Sequence, residues 1–175
     1  MTLVRIGEAF EFEEQLTVEG GRLSVGGLAP EFVLEQFDPE KGAIRPREVW
    51  GETAEVRILN VINAVDTPVC STSLTAWESH TAALKGVTVV TISMDLPFTL
   101  ERARVDRGLT QTMLSSHKNE AFATAYGIHL REWRMLQRAV FVIDQDGKLL
   151  HVEYIADQMA EPNYQAAVDI ARRSL

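Results

Sequence analysis

The chain has 175 residues, 46% of them hydrophobic and 24% charged, which suits one compact soluble domain with a sizeable core. Its 17 basic and 25 acidic side chains give a formal net charge of -8, which opposes nonspecific binding to nucleic acid and to an anionic membrane surface. No segment is long and apolar enough to span a bilayer, and a single cysteine excludes an intrachain disulfide.

The first residues, Met1 to Glu8, carry no apolar run of signal-peptide length, so a cytoplasmic protein is expected. No repeat, low-complexity tract or linker divides the chain, and one domain is expected over 1–175. Residues 3–18 alternate loosely and predict a hairpin with Gly7-Glu8 as its turn, so 1–20 reads as an N-terminal extension. Gly20-Gly21 and Gly26-Gly27 punctuate a loop leading to a short strand, Ala29-Pro30-Glu31-Phe32-Val33-Leu34. Residues 38–54 are polar with Pro and Gly and read as loop. Residues 56–61 form an apolar run broken only by Arg57 and Asn60, which predicts a buried strand.

A helix is predicted over 70–85, where Leu74, Trp77, Thr81 and Leu84 recur at helical spacing and Gly86 supplies a stop. Residues 87–92 are β-branched and read as a central strand. A short helix follows Pro97, and another covers 118–125 and stops at Gly127. Ala139-Val140-Phe141-Val142-Ile143 predicts a second central strand, and Asp144-Gln145-Asp146-Gly147 turns it into 149–155. Glu161-Pro162 opens a last helix. The fold class is α/β, a mixed β-sheet flanked by α-helices, with a strand, turn and helix around the cysteine of the thioredoxin-like kind.

Cys70 is the chemical centre of this pattern. Thr67 is a good N-cap and Pro68 a good first helical residue, which puts Cys70 in the first turn. A free thiol titrates near about 8.5, and only the thiolate is a nucleophile. Unpaired N–H groups at a helix start favour the charged form. The Thr67 hydroxyl is placed to donate to sulfur or to a bound oxygen. Arg138, next to a buried strand, is the candidate cation. With no second cysteine in a C-x-x-C pair, only one-thiol chemistry remains. The competing structural reading is a buried packing cysteine.

Other constellations read as structural. His80, His117, His129 and His151 share no metal-ligand spacing with Cys70, so no metal is implied, and none is marked as the partner of a Cys-His hydrolase. Asp95 and Glu153 flank strands as loop or edge carboxylates. Trp50, Trp77 and Trp133 read as core or interface rather than substrate platforms. Arg102, Arg104 and Arg107 form a solvated helix face or a docking site for a reductant.

Asn60-Val61 with Asp66-Thr67-Pro68-Val69-Cys70 resembles the active site of the bacterial thiol peroxidases, a branch of the peroxiredoxins. Val25-Gly26 with Ala29-Pro30-Glu31-Phe32, then Ser93-Met94-Asp95-Leu96-Pro97-Phe98, Tyr126-Gly127, Arg138-Ala139-Val140-Phe141-Val142-Ile143-Asp144 and Glu161-Pro162-Asn163-Tyr164 are similar to that family's motifs in order. The resemblance implies that Cys70 is the peroxidatic cysteine, that Thr67 binds the peroxide, and that Arg138 holds the thiolate and polarises the O–O bond. It implies no organic cofactor or metal, a peroxide substrate, an external thiol reductant (a thioredoxin-like protein or a small thiol) and a homodimer. The alternative is a non-enzymatic peroxide sensor or binding module on the same fold. Two positions depart from the family pattern: Asn63 stands where it has proline, and Arg104 stands where a resolving cysteine is usual.

Overall fold

The computed structural model describes residues 2–50 and 54–175; Met1 and residues 51–53, the end of the predicted 38–54 loop, lie outside them. β1 (Val4–Glu11) and β2 (Glu14–Glu19) form the predicted antiparallel hairpin. Its turn is not at Gly7-Glu8. The register slips there, between Ile6 and Ala9, so this dipeptide is a bulge, and the chain reverses at Phe12-Glu13 with Phe12 left-handed (φ 51°).

β3 (Val33–Asp38) begins where the predicted strand was to end, because Ala29 gives its N–H to the Gly147 carbonyl instead of to a strand partner. The predicted loop 38–54 contains β4 (Ala43–Glu48), which pairs with β3 as the outermost strand. An edge position tolerates Pro46 and the charges that made the segment read as loop. β5 (Val56–Val61) is buried throughout, as predicted. α1 (Pro68–Thr81) follows it, two residues earlier at its start and four shorter at its end than 70–85. Its buried residues Cys70, Ser73, Leu74 and Trp77 fall at i, i+3, i+4 and i+7, one helical stripe.

The remaining elements are β6 (Val87–Ser93), α2 (Pro97–Asp106), β7 (Thr112–Ser115), α3 (Glu120–Ala125), β8 (His129–Leu130), β9 (Met135–Leu136), β10 (Ala139–Asp144), β11 (Leu149–Tyr154) and α4 (Tyr164–Arg173). β7, β8 and β9 have no sequence forecast, since each is too short for periodicity to register. α4 starts after Asn163, whose side chain accepts from the Ala166 N–H, rather than at Pro162.

A seven-stranded mixed sheet runs β11-β10-β5-β6-β7-β3-β4, and a smaller sheet runs β1-β2-β8-β9. The large sheet has a packed layer on each face. Leu59 and Val61 of β5 join Ala139, Phe141 and Ile143 of β10 on one side. Val56 and Ile58 join Val140, Val142, Trp77 of α1 and Ala167 of α4 on the other. This period-two alternation sends even-numbered residues of β5 and β10 toward α1 and α4. It is the parity that carries Arg138, just before β10, to the helix side.

Within the small sheet, Glu19 of β2 ties that strand to β8 and to Arg131 just after it. Its carboxylate accepts from Arg131 at 2.7 Å and lies 2.6 Å from the His129 ring. The Arg131 bond, and then the His129 bond, hold the Glu19 carboxyl below its ordinary range. A carboxyl group depressed in the fold stabilises it where ionised, and that stabilisation is lost as pH falls through the depressed value. Glu19→Gln is therefore expected to lower the melting temperature at neutral pH, with the gap to the parent closing once the pH drops below about 4, under the ordinary glutamate value. Thermal unfolding as a function of pH checks this; a gap that stays constant down to acid pH would contradict it.

Candidate active site

Antiparallel pairing of β10 with β5 sets Ala139 opposite Val61. Arg138 is thereby fixed beside the carboxyl end of β5, where the chain leaves the sheet through Ile62 and Asn63 toward α1. A one-residue slip would turn Arg138 to the opposite face. The intervening loop is held by Asp95, whose carboxylate accepts from the Val65 N–H at 2.9 Å and from the Ser93 hydroxyl at 2.8 Å. Asp95 thus shapes the loop before the helix rather than acting as a free acid.

Thr67 is the N-cap of α1 and Pro68 its first residue, as the sequence predicts. The first backbone bond of the helix runs from the Ser71 N–H to the Thr67 carbonyl. The N–H groups of Val69 and Cys70 consequently precede the ladder, and no acidic side chain sits in the first turn to compete for their positive potential. Cys70 is fully buried, among Ile62, Val65, Leu74 and Leu100. Arg138 Nη1 donates to its sulfur at 3.2 Å.

Arg138 is only 1% exposed. Its other contacts are neutral: Nη2 donates to Asn63 Oδ1 at 3.1 Å and to the Gln158 carbonyl at 2.9 Å. Among the described residues no carboxylate pairs with it. A buried cation without a counter-charge is costly, and the sulfur is the one contact that can become negative.

A cavity of about 400 Å³ opens beside the pair. Around the cysteine it is lined by Asn63, Thr67, Pro68, Val69 and Arg138. Trp133, Met135 and Met159 give it apolar surface, and Glu11 of β1 adds a carboxylate. A larger cavity of about 530 Å³, lined by Phe32, Trp50, Phe122 and Tyr126 among others, shares no residue with it and contains no nucleophile.

The structure brings Cys70 and Arg138 into contact and puts Thr67 on the same cavity wall. The Thr67 hydroxyl donates to the Ala64 carbonyl at 3.2 Å, not to sulfur. Trp133 packs against the core of the small sheet, as expected, and also lines the cavity, which the N-terminal hairpin and β9 help to close. Of the three arginines read as a solvated face or a docking site, Arg102 is exposed. Arg104 makes a two-pronged contact with Glu101 at 2.8 Å, and Arg107 reaches the Ser71 hydroxyl at 3.3 Å, so both have internal partners. Gln158 escaped sequence reasoning, since a glutamine in a loop carries no periodic or motif signal. No histidine among the described residues bonds to Cys70, which leaves a Cys-His hydrolase without its base.

The AhpC/TSA family model matches residues 25–152. The chain belongs to this family. A thiol peroxidase of Halalkalibacterium halodurans is 34% identical over 161 residues, covering 91% of this chain and 94% of the relative. A thiol peroxidase of Bacillus subtilis is 32% identical over 158 residues, covering 90% and 92%. Among solved structures, a peroxiredoxin-like protein from Aquifex aeolicus superposes with a TM-score of 0.83 at 27% identity, covering 97% of this chain and 99% of that one. A thiol peroxidase from Chromobacterium violaceum gives 0.82 at 19% identity over 94% and 95%, a likeness of fold. The peroxiredoxin fold read from the motifs is thus the observed one. Arg104, where the resembled pattern led one to expect a resolving cysteine, makes an ion pair with Glu101.

If Cys70 is the counter-charge of Arg138, the two are energetically coupled. A double-mutant cycle of Cys70→Ala and Arg138→Ala, read by urea unfolding at neutral pH, is expected to give a coupling of about 1.5–3 kcal/mol, the range for hydrogen bonds to charged groups. Additive losses would show that the contact carries no charge interaction.

Proposed function

We propose that this protein is a one-cysteine thiol peroxidase that reduces hydrogen peroxide or organic hydroperoxides. The observation that carries the reading is the contact of Arg138 with Cys70 at the start of α1, beside a cavity. The Cys70 thiolate attacks the terminal oxygen of the hydroperoxide in line with the O–O bond. An S–O bond forms, the O–O bond breaks, and the alkoxide or hydroxide leaves with a proton as alcohol or water. Arg138 and the Thr67 hydroxyl, once turned from Ala64, supply donors to the oxygens as charge moves onto them. Because the sulfur is fully covered while its neighbours line the cavity, the attack needs a rotation of the Cys70 side chain or a slight opening of the first turn.

Cys70 becomes a sulfenic acid. The sequence holds no second cysteine, so resolution is external. One thiol displaces water to give a mixed disulfide, and a second releases Cys70 and leaves as the small disulfide. A thioredoxin-like protein or a small thiol fits this role. Reliance on reduced external thiols supports a cytoplasmic setting. The reading includes one domain over 1–175, with the hairpin walling the site, and a homodimer. Leu96, Phe98 and Val105, all exposed apolar residues on or beside α2, favour the dimer as a self-complementary patch.

Intact-mass measurement tests the cycle. One equivalent of peroxide is expected to add one oxygen, an added thiol to form the mixed disulfide, and excess thiol to restore the starting mass over repeated rounds. Cys70→Ser should abolish the reaction while the protein stays folded. Thr67→Val should slow it by roughly 10²-fold, the cost of a donor at developing charge. A sulfenic acid that no thiol captures would rule out the enzyme and leave a peroxide sensor.

A further inference from the structure

Arg138 is aimed at the Cys70 sulfur. What holds it there is a closed set of neutral amides. The Asn63 side chain, 5% exposed, turns Oδ1 to Arg138 Nη2 and gives its Nδ2 hydrogens to the Leu136 carbonyl at 2.8 Å and to Gln158 Oε1 at 3.0 Å. Flipping this amide would put donor against donor at the guanidinium and acceptor against acceptor at both other partners, so its orientation is unique. Gln158, 1% exposed, is spent as completely. Its Oε1 also accepts from the Arg138 backbone N–H at 3.0 Å, and its Nε2 donates to the carbonyls of Ile155 at 2.7 Å and Ala156 at 3.1 Å. Its own N–H goes to the Phe10 carbonyl at 2.9 Å.

The consequence is electrostatic as well as steric. A guanidinium has five N–H donors and wants acceptors, and a carboxylate is its usual partner when buried. Here acceptors come without charge. The guanidinium is held by Asn63 at the exit of β5 and by the Gln158 carbonyl in the loop after β11, yet neither neutralises it. Its full charge is left for sulfur. A carboxylate at 63 would keep the acceptor at the guanidinium and take that charge away, at the cost of a second acceptor facing the Leu136 carbonyl and Gln158 Oε1.

We infer that Asn63 and Gln158 are positioning residues that aim Arg138 at Cys70 while leaving its charge uncompensated. The inference rests on the reading of Cys70 as the nucleophile. If it holds, substitutions at 63 and 158 act only through Arg138. The test uses the full chain and two reagents, hydrogen peroxide and iodoacetamide, each followed by intact mass at Cys70. Iodoacetamide reports thiolate reactivity even in a protein that consumes no peroxide, so failure of the peroxidase reading is seen separately, as a parent inert to peroxide.

Asn63→Leu and Gln158→Met preserve bulk and remove the amides from two different segments, and thermal melting identifies the folded variants. Each folded variant is expected to alkylate about tenfold more slowly than the parent at neutral pH, less than the roughly 10²-fold loss of a direct donor. The same substitutions in an Arg138→Ala background are expected to change the rate no further. Asn63→Asp keeps the acceptor toward the guanidinium but adds a charge; it should slow alkylation at least as much as Asn63→Leu, and its rate should recover as low pH protonates the new carboxyl, relative to the parent's own pH profile. An unchanged rate in any folded variant overturns the inference. So does an equal loss in the Arg138→Ala background, which would mark the amides as general support. If neither apolar variant folds, the Asn63→Asp profile decides: relative recovery at low pH supports the inference, and none overturns it.

Discussion

A guanidinium buried to 1% exposure with no carboxylate against it among the described residues is the constraint on which this site depends. Burying an unpaired cation is among the costlier things a fold can do, and here Asn63 Oδ1 and the Gln158 carbonyl accept from Nη2 without cancelling its charge, while Nε has no partner among the described residues. The remaining contact is sulfur. The proposed role of Cys70 as nucleophile therefore rests on the solvation needs of its neighbour as much as on the helix start beneath it. The two effects add, since the first turn of α1 contains no acid and its leading N–H groups are free of the helix ladder.

The larger architecture can be understood as the means of making that contact. Parallel pairing of β5 with β6 and antiparallel pairing of β5 with β10 bring the end of one strand beside the beginning of another. Arg138 then inherits the helix-side parity of Val140 and Val142, and Cys70 heads the buried stripe that includes Leu74 and Trp77. The small sheet adds a wall. Glu11 from β1 and Met135 from β9 line the cavity, and Phe10 exchanges backbone bonds with the loop that carries Gln158. The N-terminal hairpin is thus coupled to the site through main-chain hydrogen bonds rather than lying apart from it.

Much of this was legible in the sequence because local signals and tertiary demands agree. The apolar runs at 56–61 and 139–143 became central strands, and α1 starts at Thr67-Pro68 as predicted, although the Thr67 hydroxyl bonds the Ala64 carbonyl rather than capping the helix. Arg138 stood out as a charge abutting a buried strand. The failures have physical causes. β4 reads as loop because an edge strand need not be apolar, and Gly7-Glu8 reads as a turn because a bulge also uses a left-handed glycine (φ 73°). Arg104 and Arg107 read as a solvated face because their partners, Glu101 and Ser71, are set by packing. Gln158 left no trace, since its importance comes from four segments meeting in space, and Asn63 registered only as a departure from a family pattern.

The absence of a second cysteine shifts the burden of turnover outside the chain, so the chemistry the protein itself controls is the state of one sulfur. That state is observed most directly by ultraviolet thiolate absorbance at neutral pH, comparing the parent with Arg138→Ala and using Cys70→Ser as the blank. A thiolate band in the parent that disappears in folded Arg138→Ala is the predicted result. A band of equal strength in both proteins, or no band in the parent, would contradict the assignment of Arg138 as the charge that makes Cys70 a nucleophile.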